Sequence, residues 1–593
     1  MKHLRLTGLS LFISGFILFI LTFFAGNYKL TGEILNATVK DDAQFKLLET
    51  GLSPLYNQEF SNSFQFVGKL NAAFREINNK QIATYEITGS EADQIVQLNE
   101  TQLNAETLAS VFAENDIGQY KRKVFLQYGG WLIQASFSSA EEFRTAVEKV
   151  ANDIRKYAIM NDKGFSKYAI RDLDFQLTKA SSFGIITRSP SMAMFIIYGL
   201  CILGGLLMII PVYLSEPPGI KNNGIYKNPM KNRGWLGILT GSFLILFYIF
   251  LYFYPEHMTQ WVIMVDPLSY FLNGDQAGRF FLYGFLYTLC VLVMGIRMIL
   301  KYRHSRYHLI RTFSVMFFQL AFAFLIPEFL VRLNQPFFDF KNIWPLDYDF
   351  FFDSEIIKLV QSGSIGLFML FWGILLAIIV VPLFTYLYGK RWYCSWVCGC
   401  GGLAETLGDP YRQLSDKSLK AWKIERWMVH GVLAFSVIMT IGVIYTYFTG
   451  SGNLLGINTY SLREIYGVWI GAGFAGVVGT GFYPLMGNRV WCRFGCPLAA
   501  YLGLIQRFKS RFRITTNGGQ CISCGNCSTY CEMGIDVRWY AQRGQNIVRS
   551  SCVGCGVCAS VCPRGVLKLE NGSLKNRIPD PIEIGKNGLT LNS

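Results

Sequence analysis

Eight cysteines near the end of the chain fall into two copies of one spacing: Cys521, Cys524, Cys527, Cys531, then Cys552, Cys555, Cys558, Cys562 with Pro563 directly after. Each copy reads C-x-x-C-x-x-C-x-x-x-C. Thiolates are soft ligands for iron, zinc and cuprous copper. This spacing lets a tight loop turn three sulfurs onto one iron–sulfur cluster, and Gly525, Gly554 and Gly556 suit the turns such a loop needs. Disulfides do not suit a segment on the cytoplasmic side, where thiols stay reduced. Zinc sites use two C-x-x-C pairs, sometimes with histidine, and no histidine follows His430. The spacing points to two 4Fe–4S clusters. The first copy departs in one respect: Glu532 stands where the second has Pro563.

The double run is similar to that of two-cluster bacterial ferredoxins. That similarity implies a crossed ligand set, in which three cysteines of a run hold one cluster and the fourth holds the other. One 4Fe–4S cluster then takes Cys521, Cys524, Cys527 and Cys562, and the other takes Cys552, Cys555, Cys558 and Cys531. Arg549 and Arg564 lie near the second run, where positive charge favours the reduced, more negative cluster.

Two more cysteine pairs stand upstream. Cys394 and Cys398 lie in Arg391-Trp-Tyr-Cys-Ser-Trp-Val-Cys-Gly-Cys400, and Cys492 and Cys496 in Trp491-Cys-Arg-Phe-Gly-Cys-Pro497. On a helix the C-x-x-x-C spacing sets two thiols one turn apart on one face. Two such helix ends meeting would offer four thiolates, which suit a further iron–sulfur cluster, zinc or copper. The alternative is a set of reduced, buried cysteines. Cys400 is an extra candidate ligand. Cys201 and Cys290 fall inside apolar stretches and read as packing residues.

What must position these cysteines is a membrane body. Hydrophobic residues are 51% of the 593 and charged residues 16%, with a mean hydropathy of +0.28, which points to a membrane protein. Eight apolar runs approach the roughly 20 residues that cross a bilayer, at about 6–25, 192–214, 235–253, 280–300, 312–332, 364–388, 427–448 and 466–487. Basic residues flank them on alternate sides: Lys2 and Arg5; Lys221, Lys227, Lys231 and Arg233; Lys301, Arg303, Arg306 and Arg311; Lys390, Arg391, Arg412 and Lys417; Arg489, Arg493 and Arg507. The net charge of +15 therefore reads as cytoplasmic loops and not as a nucleic-acid footprint. The first run reads as an uncleaved anchor, because the site near Ala25 is a poor match to a signal-peptide cleavage site.

The expected fold is multi-domain. Residues 1–26 form the N-terminal anchor, and 27–191 an extracytoplasmic α+β domain with alternation at Gln81–Ile87 and Val124–Ser136 and a helix at Ala140–Ala158. Residues 192–510 form an all-α polytopic domain with both C-x-x-x-C pairs at its cytoplasmic face. Residues 511–593 form a cytoplasmic two-cluster ferredoxin-like domain and tail. The loop between spans five and six, with Asp339, Asp347, Asp349, Asp353 and Glu355 among aromatics, reads as an interfacial belt on the outer side. Glu328 is expected to pair with Arg332, one helix turn on. A bis-histidine haem finds no ligands, since only His430 lies in a span. Every expected metal site then lies on the inner side of a core ~30 Å thick.

The order of span, C-x-x-x-C, two spans, C-x-x-x-C-P and two ferredoxin runs resembles the polytopic membrane iron–sulfur proteins of the NosR, NapH and FixG (CcoG) family. The resemblance covers about residues 364–570, and the large outer domain makes NosR closest in layout. It departs at Gly399, where the family has proline, and no flavin-attachment signature is found, so flavin is not inferred. The chain also ends without the extra domain of FixG-like members. The resemblance implies a multi-pass protein of the bacterial cytoplasmic membrane that passes electrons to a quinone or a redox partner, an electron-transfer component rather than a stand-alone enzyme. The alternative is an assembly factor that reduces or delivers copper for an extracytoplasmic metalloenzyme. A redox sensor ranks third, with no output-domain pattern to support it.

Overall fold

The computed structural model describes residues 2–98, 104, 107–133, 135, 137, 139–155, 159, 165, 167–219, 234–449, 453–454, 457–573, 582–585 and 588–591. The chain divides into two compact units, and helices dominate both.

One unit comprises Ile20–Pro190 and takes in Pro255–Ile263. Its longest helix, Ser63–Tyr85, begins where the Asn62 side chain accepts from the Gln65 backbone N–H at 2.9 Å, satisfying one of the free donors of a helix start. Phe66, Leu70, Phe74 and Ile77 fall on one helical face and bury against Leu35, Leu48 and Leu52. A second core gathers Phe125, Phe143, Val147 and Val150. The sheet content is slight: Glu59–Phe60, Asn27–Lys29 and Ser182–Phe183 pair antiparallel in that order. The two alternating runs expected as strands are helical. Gln81–Tyr85 ends the helix Ser63–Tyr85, and Val124–Gly129 ends the helix Asp116–Gly129, with a 3₁₀ turn to Ile133. Each short alternation sits inside a longer stretch of three-to-four-residue apolar spacing, and the longer period prevails. The helix Ala140–Ile154 is capped by Ser139, which accepts from Glu142 N–H at 3.2 Å. Ser136 and Ala158 lie outside the described residues.

The other unit holds the remainder. Among the described residues, seven helices are long and apolar enough to cross a membrane: Lys2–Thr22, Pro190–Ser215, Trp235–Phe253, Arg279–Lys301, Arg306–Arg332, Gly363–Tyr388 and Leu419–Thr449. The eighth expected span is also helical, running unbroken through Thr459–Ile465, Tyr466–Val478 and Gly479–Gly481, but it is not among the seven. Gly467, Gly471, Gly473 and Gly476 dilute its hydropathy, and Tyr466–Val478 is wound as a π-helix. The basic flank Lys221, Lys227, Lys231 and Arg233 lies outside the described residues.

The loop 333–352 departs from expectation. Its segment 340–348 is threaded among the helices instead of lying at their ends. The Trp372 indole donates to the Phe340 carbonyl at 2.9 Å, and the Trp344 indole to Thr440 Oγ1 at 3.0 Å, both partway along long helices. Tyr393, beside the first cysteine pair, donates to the Lys341 carbonyl at 2.9 Å. Irregular backbone is tolerated at such places when protein surrounds it. Asp339 pairs with Lys341 at 2.9 Å, the following helix pairs Asp353 with Arg463 at 3.0 Å, and Asp347 lies against Asp349. The expected Glu328–Arg332 pair is not made. Glu328 accepts from Asn273 at 2.6 Å, and Arg332 donates to the Phe271 carbonyl at 2.6 Å, at the electronegative end of the helix Asp266–Leu272.

The C-terminal cysteine runs are bracketed by one antiparallel pair, Phe512–Thr516 with Leu567–Asn571.

Candidate iron–sulfur sites

Each ferredoxin run makes a loop, one turn of helix and a second loop. Two cavities result. Cys521, Cys524, Cys527 and Cys562 line the first; Cys531, Cys552, Cys555 and Cys558 line the second. Each cavity is lined by three cysteines of one run and the fourth of the other. The runs mirror one another in detail: Ile535 N–H points to Cys531 Sγ at 3.4 Å and Val566 N–H to Cys562 Sγ at 3.3 Å. Such N–H···S contacts tune cluster potential. Burial pushes the thiols of Cys527 and Cys552 up to about 11, and those of Cys555 and Cys558 well above their ordinary value. They are inert as thiols and become thiolates when metal binding displaces the proton.

The upstream pairs lie together in one buried core, with Cys394, Cys398, Cys492 and Cys496 inside it and Cys400 packed against it. Neither pair sits on a continuous helix. The helix Arg391–Cys394 ends at its cysteine, and Cys398 is the cap residue from which Gly399–Thr406 starts. Cys492 lies in the π-turn Trp491–Gly495, and Cys496 caps Pro497–Lys509, its Sγ accepting from Ala499 N–H at 3.3 Å. The chain breaks between the two sulfurs each time, so the second sulfur sits at a helix N-terminus, where partial positive charge suits a thiolate. The Cys400 thiol hydrogen-bonds to Cys398 and, with the Gly401 N–H, holds Cys398 below the ordinary thiol range. Burial pushes Cys394 up to about 12.

The two pairs belong to an internal duplication. One constant shift carries Gly389, Arg391, Cys394 and Cys398 onto Gly487, Arg489, Cys492 and Cys496, giving G-x-R-x-x-C-x-x-x-C twice. Gly389 and Gly487 both take positive φ, 71° and 94°, where the preceding helix stops. Gly399 stands where the second copy has Pro497.

A buried ion network lies between the cysteine groups. Glu405 binds Arg311 at 3.0 Å, Arg412 at 2.6 Å and Arg489 at 2.8 Å. Glu532 binds Arg412 at 2.6 Å and lies 3.1 Å from Arg489, in ion-pair range without hydrogen-bond alignment. Asp409 binds Arg297 and Lys301, each at 2.7 Å. The three arginines hold Glu405 well below the usual carboxylate range against its burial. Burial lifts Glu532, and Arg412 and Arg489 draw it back. Oxygens of Glu405 and Glu532 and the Cys555 sulfur lie within 4.8 Å of one another, but arginines fill that place, so it is an ion network and not a metal site.

A further cavity adjoins the paired cysteines. Tyr252, Tyr283, Tyr287, Tyr348, Tyr466 and Tyr483 line it, and Cys400, Trp491 and Cys492 form one wall. Gly471 and Gly476 of the π-helix form another wall, against which Tyr348 and Tyr252 pack closely. Neither this cavity nor the role of Glu532 was read from sequence. The duplicated G-x-R motif was the available signal for the first, and the departure from proline for the second.

The 4Fe-4S dicluster domain family matches residues 520–567, and the 4Fe-4S binding domain family matches residues 369–419 and again 467–515. The second family thus spans both copies of the duplication. The chain is 27% identical over 165 residues to the methylamine utilization ferredoxin-type protein MauN of Methylobacillus flagellatus, covering 26% of this chain and 53% of the relative. It is 27% identical over 176 residues to YccM of Escherichia coli, named for electron transport, covering 28% and 46%. MauN of Paracoccus denitrificans is 28% identical over 189 residues, covering 30% and 60%. The chain spans about half the length of these relatives. No solved structure matches it. The chain thus carries ferredoxin-type 4Fe–4S domains and membrane-length helices, and it is distantly similar to proteins named as ferredoxin-type or electron-transport proteins.

Proposed function

We propose that the chain is a membrane-bound component that exchanges electrons between a soluble partner and a quinone, using the two ferredoxin sites and a third cysteine site. The observation that carries this reading is the serial arrangement of the cysteines. Cys524 and Ile522 are exposed. The loop of the second run is packed on the membrane body, where Tyr307 donates to the Gly554 carbonyl at 2.8 Å and Ser395 to the Val553 carbonyl at 2.8 Å. The paired cysteines come next, and the tyrosine-lined cavity adjoins them. Bound 4Fe–4S clusters supply one-electron oxidation and reduction. Cys521, Cys524, Cys527 and Cys562 hold one, and Cys531, Cys552, Cys555 and Cys558 the other. Cys394, Cys398, Cys492 and Cys496 hold the third centre.

The donor spacing favours a cluster over one zinc or copper ion at every cysteine set. Sulfurs around one such ion lie about 2.3 Å from it, and hence under about 4 Å from each other. Among the described residues, the donor set gathered within 4.8 Å is the Glu405–Glu532–Cys555 group and not a set of cysteines. This weighs against the copper-delivery alternative. The phenols of Tyr287 and Tyr483, which line the cavity, are donors suited to quinone oxygens, and the inserted loop brings Leu346 and Tyr348 to the same cavity. The eighth helix, 459–481, would complete an even number of crossings, with both termini cytoplasmic and residues 27–191 outside, the layout closest to NosR.

The test is reoxidation of anaerobically reduced protein in detergent by a short-chain quinone. Replacing both Tyr287 and Tyr483 with Phe is expected to slow reoxidation at least tenfold with iron content unchanged. An unchanged rate removes the cavity from the scheme.

A further inference from the structure

Glu532 marks a departure from the repeated ferredoxin run, and it is the residue that joins that run to the membrane body. Its side chain is 1% exposed, Arg489 is 0% and Arg412 2%. Asn488 donates to its carboxylate at 3.2 Å and Ser415 to its carbonyl at 2.6 Å. Arg489 and Arg412 each reach past it to a cysteine. Arg489 Nη1 lies 3.7 Å from Cys492 Sγ and donates to the Cys394 carbonyl at 3.2 Å. Arg412 Nη1 lies 3.9 Å from Cys555 Sγ, and Arg311 donates to the Cys555 carbonyl. A continuous line of charged side chains therefore runs from one cysteine site to the other: Cys492, Arg489, Glu532 (with Glu405 alongside), Arg412, Cys555.

The network is also unbalanced. Among the described residues, the acids paired with Arg297, Lys301, Arg311, Arg412 and Arg489 are Glu405, Asp409 and Glu532. Uncompensated positive charge is costly in a buried place. The two sulfurs at its ends belong to sites whose thiolates, once bound to iron, carry negative charge. Proline at 532 would supply no charge to this line.

We propose that Arg489, Glu532 and Arg412 form an ion bridge that couples the second ferredoxin site to the paired-cysteine site, so that charge placed at one is felt at the other. Glu532 is a positioning residue of this bridge. The inference rests on the iron–sulfur reading above. It goes further in assigning a shared electrostatic control to two sites on different parts of the chain.

The test is potentiometric titration of the full chain in detergent, followed by electron paramagnetic resonance, with iron counted in parallel. Glu532→Gln removes negative charge and is expected to raise the midpoints of both the second ferredoxin centre and the paired-cysteine centre. The expected rise is at least tenfold in the reduced-to-oxidised ratio at a fixed potential, or 59 mV for one electron. Arg489→Gln is expected to lower both by a similar factor, and the double variant to bring both back close to the wild-type midpoints. Glu532→Asp keeps the charge and is expected to leave both within about threefold, as is Glu570→Gln on the exposed strand. The bridge is overturned if each variant moves only the centre nearest it, or if midpoints stay fixed while iron content falls, as a purely structural clamp would give. Wild-type protein with two centres and no third also overturns it while the ferredoxin reading stands. Wild-type protein with no redox-active iron overturns the reading itself. Should Glu532→Gln fail to assemble, Arg489→Lys, with its charge but without the forked donor, decides the matter by the same midpoints.

Discussion

Ser523 and Gly554 occupy the same place in the two ferredoxin runs, one residue before the second cysteine. Both take the left-handed backbone, at φ 58° and 63°. Their surroundings differ. Ser523 is exposed, and its hydroxyl accepts from Gln542 at 2.6 Å. A Cβ on Gly554 would stand 2.6 Å from Arg391 Cβ and 3.0 Å from the Phe512 ring. The next pair repeats the contrast: a Cβ on Gly525 would meet only Arg538, at 3.9 Å, and one on Gly556 would meet the Tyr307 ring at 2.9 Å. One loop geometry has thus been placed twice, once facing solvent and once pressed on the membrane body. The ligand spacing is identical, so spacing cannot assign the roles, whereas packing can.

The largest effect tests those roles directly. Cys555→Ser is expected to remove about four iron and to stop quinone reoxidation of whatever centre remains in the first run. Cys524→Ser is expected to remove the first centre and leave the second reoxidisable. Iron analysis with freeze-quench spectra reads both. If the first run still reoxidises in the Cys555 variant, the inward and outward assignments are broken.

Next in size is the ion network that seats the second run. Arg412→Ala leaves Glu405 and Glu532 short of a partner in a buried place. It is expected to cost about 3–5 kcal/mol, read as lost hydrogen-exchange protection around residues 531–535. Lys358→Ala, which breaks the exposed Lys358–Glu355 pair, is expected to cost under about 1 kcal/mol.

Buried carboxylates sharpen the contrast between the two units of the chain. Glu405 has three arginines. Asp174, in the unit Ile20–Pro190, has an Oδ1 with no hydrogen-bond partner, and burial with Glu256 nearby pushes its carboxyl up to about 8. A raised carboxyl gives stability that is complete below its unfolded value near 4 and is lost as pH rises toward 8. Glu405 runs the other way, stabilising above its unfolded value and losing that as pH falls. His257, pushed down to about 4 by burial, also loses stability as pH falls, below about 6.5. Between pH 6.5 and 8 only the Asp174 effect remains among these three. Hydrogen exchange in the helix Lys167–Ala180 of the full chain is expected to lose on the order of 2 kcal/mol of protection across that window. Asp174→Asn is expected to flatten the slope.

The cysteine sets were legible because metal ligation constrains residues within a few positions of each other, and the first seven helices because bilayer thickness constrains each run locally. What escaped reading depended on residues distant in sequence. The loop around Trp344 has an interfacial composition, yet its indole meets Thr440. The eighth helix is a wall of the tyrosine cavity, and the glycines that shape this wall also lower its hydropathy. The alternation at Gln81 was outvoted by helical spacing that begins at Phe66. In the sequence, Glu532 shows only as the residue that stands where the second run has Pro563. Its partners, Arg412 and Arg489, come from two other segments.

The smallest effects come from exchanging the two matched residues. Gly554→Ser copies the first run into the second. It places a side chain at positive φ and crowds its Cβ and Oγ against Arg391 and Phe512, at a cost of about 1–3 kcal/mol. Ser523→Gly copies the second run into the first. It relieves a side chain held at positive φ, loses one exposed hydrogen bond and gains chain entropy when unfolded, so its net change is expected to stay within about 1 kcal/mol. Chemical denaturation of iron-loaded protein, followed by cluster absorbance, measures both. Equal effects would mean that the second loop can draw back from Arg391 at little cost, and the division between an outward and a seated run would then rest on the ion network alone.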